Sequence, residues 1–282
     1  MMLKKFLKSI VETGFALMRS NSFGRRIHSH LIRSAFKTTV EVQHEDVRLK
    51  FCAPNGWARK RAETFSEKEP ETLEWIDKFP KGSVFWDVGA NLGLYSLYAS
   101  LKVPDARVFA FEPSVFNLEL LARNIVLNSL QENITLMPMA LSESSGIDTL
   151  HMSMTEWGGA MSTFGQTYTY DGKPMDEVFA YRLPACSLDD LANFYGIPKP
   201  TALKMDVDGI EHLILKGGAN LLKDPALQTI LIEVNDNFPE QREGVKTILE
   251  AIGWQMLAKR HGDWIDDQSE SAATFNQIWG KK

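Results

Sequence analysis

From about residue 70 onward, short apolar runs alternate with segments of helical period. Val84 to Val88 reads as a strand, Leu94 to Leu101 as a helix, and Arg107 to Phe111 as the next strand. Ser114 to Leu130 follows as a long helix, with Val115, Leu118, Leu121, Ala122 and Ile125 at helical spacing. Ile134 to Leu141 is expected as a third strand, and Ala202 to Asp206 and Thr229 to Val234 as two more, with a helix from about Ile210 to Lys216 between them. Helix-forming residues from Gly244 to Ile252 precede two closing strands near Trp254 to Ala258 and Thr274 to Ile278. Strands alternating with helices predict an α/β fold, a doubly wound and mostly parallel sheet covered on both faces. Residues 142–184 break the rhythm: they are rich in Ser, Thr, Gly, Met and aromatics and read as an irregular insertion over the sheet edge. Segments of that kind often serve as lids or substrate loops.

The first 60 residues follow a different pattern. Residues 1–36 read as amphipathic helix, with Leu3, Leu7, Ile10, Val11 and Met18 on one stripe and Lys4, Lys5, Lys8, Arg19, Arg25, Arg26 and Arg33 making the segment basic. The favoured expectation is a helix packed on the catalytic domain or on a second subunit, as in a homodimer. The alternative is peripheral contact with an anionic membrane surface. Val40 to Gln43 and Val47 to Phe51 alternate around His44-Glu45-Asp46, which predicts a β-hairpin, and Pro54-Asn55-Gly56 is a turn. The chain is therefore divided into an extension, 1–60, and a main domain, 61–282.

Composition narrows the field. A chain of 282 residues, 44% hydrophobic and 24% charged, can bury one large core with an appendage. A formal charge of -5 argues against nucleic acid as the main partner, because phosphate contacts need a basic surface. Cys52 and Cys186 form neither a disulfide framework nor a metal spacing, and the six histidines are scattered. No run approaches the roughly 20 apolar residues of a membrane span, and the N-terminus lacks the apolar core of a secretory signal, so a cytoplasmic location is expected.

The chemistry concentrates where strands end. Val84-Phe85-Trp86-Asp87-Val88-Gly89-Ala90-Asn91-Leu92-Gly93 carries a strand ending beside an acid, then a glycine turn into a helix. Glycine lets a ligand sit against the backbone and permits positive φ. The next strand closes Phe111-Glu112-Pro113, and an acid at that edge can accept both hydroxyls of a ribose. A dinucleotide fold requires G-x-G-x-x-G for its pyrophosphate, whereas this turn is G-x-x-x-G preceded by Asp87. A carboxylate there repels pyrophosphate and suits a cofactor bearing an ammonium and a sulfonium, which favours S-adenosyl-L-methionine over a nicotinamide nucleotide. The plain alternative is that the two glycines only permit a tight turn.

Asp87 to Gly93 with Glu112-Pro113 resembles the first two motifs of class I methyltransferases. Asn124 to Leu130, Met139-Ala140-Leu141-Ser142 and Leu203-Lys204-Met205-Asp206-Val207-Asp208-Gly209-Ile210-Glu211 extend the resemblance to the FkbM family over about residues 82–236. The resemblance implies a seven-stranded Rossmann-like sheet and O-methylation of a hydroxyl on a sugar or other small natural product. It also implies cofactor contacts from Asp87, Gly89, Ala90, Asn91, Gly93, Glu112 and Pro113, with Met139, Ala140 and Leu141 beside the adenine. One position departs from the family: Asp208 stands where its usual K-x-D-V-E-G-x-E run has Glu, so no fixed catalytic distance carries over.

Methyl transfer from a sulfonium needs a positioned nucleophile, and an alcohol gains from a base. Asp206, Asp208 and Glu211 crowd the end of one strand, with Lys204 and His212 beside them, and like charges held together raise one pKa toward neutrality. For Asp208 and Glu211 the competing account is stabilisation of a helix start, and Lys204 can serve simply as an ion-pair partner. Glu233 and Asn235 with Asp206 offer oxygen ligands for a hard cation, although strand-end hydrogen bonding is the favoured account and no metal is expected. His151 is a second histidine candidate for a base, and Trp157 for stacking on a substrate ring. Two rivals to a methyltransferase remain: a cofactor-binding adaptor without turnover, and a nicotinamide-dependent oxidoreductase.

Overall fold

The computed structural model describes residues 2–262 and 272–281. Helices α1 (Met2–Arg19) and α2 (Ser22–Ala35) form a hairpin, followed by the strand pair β1 (Thr39–His44) and β2 (Val47–Cys52). Three short helices come next, α3 (Gly56–Glu63), α4 (Phe65–Lys68) and α5 (Pro70–Ile76). The alternating part runs β3 (Val84–Val88), α6 (Leu94–Lys102), β4 (Arg107–Phe111), α7 (Val115–Leu127) and β5 (Ile134–Met137). An inserted sheet comprises β6 (Ala140–Leu141), β7 (Gly146–Met152), β8 (Ser162–Phe164) and β9 (Phe179–Cys186). The main sheet then resumes through α8 (Leu188–Phe194), β10 (Ala202–Met205), α9 (Glu211–Lys216), β11 (Thr229–Asn235), α10 (Pro239–Ala251), β12 (Trp254–Arg260) and β13 (Thr274–Lys281).

The main sheet has seven strands in the order β12-β13-β11-β10-β3-β4-β5. The pairs β11/β10, β10/β3, β3/β4 and β4/β5 are parallel, and β13 is antiparallel to both its neighbours. Every residue of β3 and β10 is buried, as expected of central parallel strands covered on both faces. The chain leaves β3 toward β4 on one side and reaches β10 on the other, so their carboxyl ends open a crevice at the reversal of strand order, the usual ligand position in such sheets.

Several boundaries differ from expectation for local reasons. Residues 134–141 do not form one strand. Pro138 has no N–H to give the ladder, β5 stops at Met137, and Ala140 and Leu141 pair instead with Ala185 and Cys186 in the inserted sheet. The insertion is thus a four-stranded sheet rather than an irregular loop, with Leu150, Met152, Leu183 and Ala185 turned into the core. Helix α10 starts at Pro239, five residues ahead of the expected Gly244, because proline suits the first helical position while its polar first turn carries no apolar period. Helices α3 to α5 were not expected at all.

The hairpin β1–β2 joins the core through Leu49 and Phe51, and the Asn124 and Asn128 side chains accept from the Cys52 and Lys50 N–H groups at 2.7 and 2.9 Å. The N-terminal helices behave differently. Ile10, Val11, Leu17, Phe23 and Ile32 are all exposed, so the main domain, one of the two packing partners expected, does not cover them. Just past α2, Phe36 packs edge-on against Trp157 and under the Arg123 guanidinium. No helix among the described residues is long and apolar enough to cross a membrane.

Candidate active site

The glycine turn after β3 is shaped by its neighbours. Gly89 has φ +83°, and a Cβ there would stand 1.9 Å from the Asp206 carbonyl oxygen, so the loops after β3 and β10 touch backbone to backbone. The N–H groups of Gly89 and Ala90 both donate to the Phe111 carbonyl, at 3.0 and 2.9 Å. Gly93 also has φ +83°, but its added Cβ would meet the Leu121 and Leu97 side chains, which makes it a packing residue between α6 and α7 rather than a ligand contact. Asp87 is equally remote from the cavity. It is fully buried beneath the turn, where it accepts from the Ser96 hydroxyl at 2.5 Å. Burial raises its carboxyl, and the Lys204 ammonium nearby opposes that shift. Asp87, Ala90 and Gly93, expected as cofactor contacts, do not border the cavity above this loop; Asp87 and Gly93 brace the loop from beneath.

A cavity of about 160 Å³ opens above this loop, bordered by Gly89, Asn91, Glu112, Pro113, Asp206 and Asp208 among others. Glu112 is held at both oxygens: Oε2 accepts from the Asn91 N–H at 2.7 Å and Oε1 from the Ser114 N–H at 2.8 Å. Burial pushes its carboxyl up to about 7. Beside it lies a narrow apolar slot between Phe111, Met139, Ala140, Leu141, Phe164 and Ile210, a lining that suits a flat heteroaromatic ring. The insertion closes over the other side. Asn91 Nδ2 and Asn117 Nδ2 donate to the Gly159 carbonyl at 2.8 and 3.0 Å, and Asn117 Oδ1 accepts from the Gly158 N–H at 3.0 Å. Trp157, a candidate for stacking on a substrate ring, packs edge-on against Phe36 with ring centres 5.0 Å apart.

A second cavity of about 180 Å³ meets the first at Asp208, Glu233 and Lys68. Asp208 adopts φ +60° and accepts from the Ser162 N–H at 3.1 Å, so the inserted sheet fixes its carboxylate between the two spaces. Burial and the neighbouring Asp206 push its carboxyl up to about 6. Against the cost of burial, the Lys204 and Lys68 ammoniums hold Asp206 below its ordinary range, with Lys204 Nζ 2.9 Å from Asp206 Oδ2. Carboxylate oxygens of Glu69, Asp206 and Glu233 all lie within 4.8 Å of one another, and Lys68 is bonded to Glu69.

Glu211 and His212, two of the candidate catalytic residues, do not border either cavity. Glu211 is fully enclosed, accepts from the Val207 N–H at 2.9 Å and from the Gly209 N–H at 3.2 Å, and receives the Gln241 amide at 2.5 Å. Burial pushes its carboxyl up to about 7, yet it faces the backbone it braces and not the cavities. It holds the turn that presents Asp208. His212 packs under Gly244 and edge-on to Phe238 at 6.1 Å, away from both cavities. His151 pairs with Glu177 at the rim of the insertion. Lys204 is buried behind Asp206, with its ammonium 5.1 Å from the Tyr95 ring centre. The residues that sequence reasoning missed come mainly from α3 to α5: Arg61, Lys68 and Glu69 border the two cavities. The one available signal was the charged run Glu67-Lys68-Glu69 ahead of Pro70, which marks a helix start.

The methyltransferase FkbM domain model matches residues 87–266, from the acid under the glycine turn to the far edge of the sheet. The chain belongs to the FkbM methyltransferase family. Methyltransferase sdnD of Sordaria araneosa is 38% identical over 215 residues, spanning 68% of this chain and 81% of that protein. The hexuronic acid methyltransferase AglP of Haloferax volcanii is 29% identical over 57% of this chain and 59% of its own. Among solved structures, the FkbM methyltransferase of Methylobacillus flagellatus shares the fold, with a TM-score of 0.51 at 14% identity over 91% of this chain and 59% of that one. The FkbM domain therefore contains the glycine turn, Glu112 and the Asp206–Glu211 run, and it leaves α3 to α5, which also border the cavities, outside its matched limits.

Proposed function

We propose that this methyltransferase uses S-adenosylmethionine to methylate a hydroxyl of a sugar or other small molecule. The observation that carries this reading is the pair of cavities joined at Asp208: one has a ribose-type acid and an apolar slot, and the other is a chamber bordered by Asp208, Glu71, Thr274 and Asn276. The first fits the cofactor by its donor set. Glu112 keeps acceptor capacity for ribose hydroxyls, and the slot at Ala140 and Leu141 takes a purine. The anion Asp206 suits an ammonium, and Arg61 and Lys68 suit a carboxylate. When bound, the cofactor supplies a methyl group on a sulfonium. The chain's own residues do the rest: Asp208 faces the acceptor chamber with a carboxyl poised near neutrality and accepts the hydroxyl proton. Lys204 keeps Asp206 ionised beside it, and Glu211 fixes the turn between them. The relative named for hexuronic acid supports a sugar-like acceptor.

Calorimetry with S-adenosylmethionine and NAD, followed by product release over a hydroxyl-bearing metabolite pool, tests this reading. Binding of NAD alone would favour an oxidoreductase, and tight S-adenosylmethionine binding with no turnover would favour an adaptor. Glu112→Ala is expected to lose roughly ten- to hundredfold in cofactor affinity, the scale of a charged hydrogen bond. Unchanged affinity by calorimetry would remove Glu112 from the ribose site.

Activity is expected to survive chelation. Glu69, Asp206 and Glu233 are close enough to hold a hard cation, but the Lys68 and Lys204 ammoniums already sit on Glu69 and Asp206, and burial raises the Glu233 carboxyl well above its ordinary range. Activity abolished by EDTA and restored by magnesium would reverse this and make the three carboxylates ligands.

A further inference from the structure

The chamber beyond Asp208 ends on three polar side chains that no mechanism above uses. Glu71 from α5, and Thr274 and Asn276 from β13, border it. Glu71 is fully buried, Asn276 is 4% exposed and Thr274 9%. Asn276 Nδ2 donates to Glu71 Oε1 at 2.7 Å, which fixes both side chains. That single bond leaves Glu71 Oε2, Asn276 Oδ1 and Thr274 Oγ1 buried with no partner among the described residues. Two of these three atoms can only accept while Glu71 is ionised, and the third is a hydroxyl. Buried acceptors without donors are costly, and they cluster where a ligand completes them.

Asp208 borders both cavities, whereas Glu71, Thr274 and Asn276 border the second alone. A monofunctional alcohol would use Asp208 alone and leave these acceptors unmet. An acceptor with further hydroxyls on the same ring satisfies both ends. We propose that Glu71, Asn276 and Thr274 form the specificity subsite for a polyhydroxylated ring, receiving hydroxyls other than the one that is methylated. This rests on the reading of the neighbouring cavity as the cofactor site. The two ideas are separable, because the subsite makes no contact with Glu112 or the apolar slot. The selectivity follows from chemistry: a site built of acceptors rejects a ring that lacks the matching hydroxyls more strongly than a hydrophobic pocket rejects a lost methylene.

Titration of the full chain by saturation-transfer NMR tests this, with methyl hexopyranosides and myo-inositol as polyol probes and cyclohexanol as the matched monofunctional ring. Each probe is measured with and without S-adenosylhomocysteine. The polyols are expected to bind at least about tenfold more tightly than cyclohexanol. Glu71→Gln replaces the free acceptor oxygen with a donor at constant shape and is expected to erase that preference while leaving S-adenosylhomocysteine affinity intact. Thr274→Val is a second, nearly isosteric variant, expected to weaken polyol binding without affecting cyclohexanol. Equal binding of polyols and cyclohexanol, absence of polyol binding, or an undiminished preference in both folded variants would overturn the subsite. Loss of S-adenosylhomocysteine binding by the wild type would strike the cofactor reading alone, because the probe series without it still reports on the chamber. If Glu71 merely ties α5 to β13, Glu71→Gln lowers the melting temperature and leaves the polyol preference unchanged.

Discussion

Asp208→Asn is expected to reduce turnover by about 10² to 10⁴, the usual scale for loss of a general base, while cofactor affinity stays within a few-fold. The substitution keeps size and removes charge. Asn also tolerates the left-handed backbone that Asp208 occupies at φ +60°, so the turn survives. The Ser162 N–H still finds an oxygen at 3.1 Å if the amide is oriented accordingly. In the proposed binding mode Glu112 and the apolar slot carry the cofactor, and neither changes. A pH profile adds a second readout. A base whose carboxyl stands at about 6 is inactive when protonated, so kcat/KM of the wild type should rise with pH through that value. In the variant this acidic limb should be absent. A folded Asp208→Asn protein with normal single-turnover rate and an unchanged limb would remove Asp208 from the chemistry and pass the role to Asp206 or Glu233, which border the same junction.

Glu211 shows why the whole acidic run was legible as a cluster but not as a set of roles. In sequence Asp206, Asp208 and Glu211 are three acids at one strand end, and all three look equally placed. Only the backbone path distinguishes them. The left-handed turn at Asp208 sends its carboxylate outward, and Glu211 folds back onto the N–H groups of Val207 and Gly209. Asp87 differs from them in lying inside β3, one residue before its end, so it is buried beneath the turn, where it accepts from Ser96. Glu112 follows the end of β4 and borders the first cavity, and Ala140 and Leu141 border the slot although they belong to the inserted sheet and not to β5.

The alternating core was legible because parallel strands such as β3 and β10 bury both faces and read as continuous apolar runs. Helices α3 to α5 were not, because each spans at most two turns and shows little apolar period, so burial against the core defines them rather than local pattern. Together with Glu69 between α4 and α5 they supply Arg61, Lys68 and Glu71, so this border of the two cavities was the part least visible in sequence. The inserted sheet was hidden for a similar reason. Its strands alternate only over Leu150 and Met152 or Leu183 and Ala185, and a polar tip interrupts them.

The glycine turn offers the sharpest separation of backbone freedom from close approach. Gly82, Gly93 and Gly89 share nearly the same φ, +77°, +83° and +83°, and differ in what a Cβ would meet. At Gly82 nothing lies within 4 Å, so Gly82→Ala should cost only the left-handed backbone, about 1–2 kcal/mol. At Gly93 the Cβ would meet the Leu121 and Leu97 methyls at 2.5 and 2.7 Å, side-chain ends that can shift, which adds about 1–3 kcal/mol of overpacking. At Gly89 the obstacle is the Asp206 carbonyl at 1.9 Å, backbone that no rotamer can move. Gly89→Ala must either part β3 from β10 at their ends or tilt the Asp206–Asp208 turn, and both displace the junction of the two cavities. The expected order of destabilisation is Gly82, then Gly93, then Gly89, with the last at about 4 kcal/mol or more, the range kept for disrupted cores and strained backbone. Cofactor affinity should collapse, by about a hundredfold or more, only for Gly89. Melting temperatures and calorimetry on the three variants decide it: a Gly89→Ala protein that melts like Gly82→Ala and binds cofactor normally would show that the apposition of the two loops does not hold the site together.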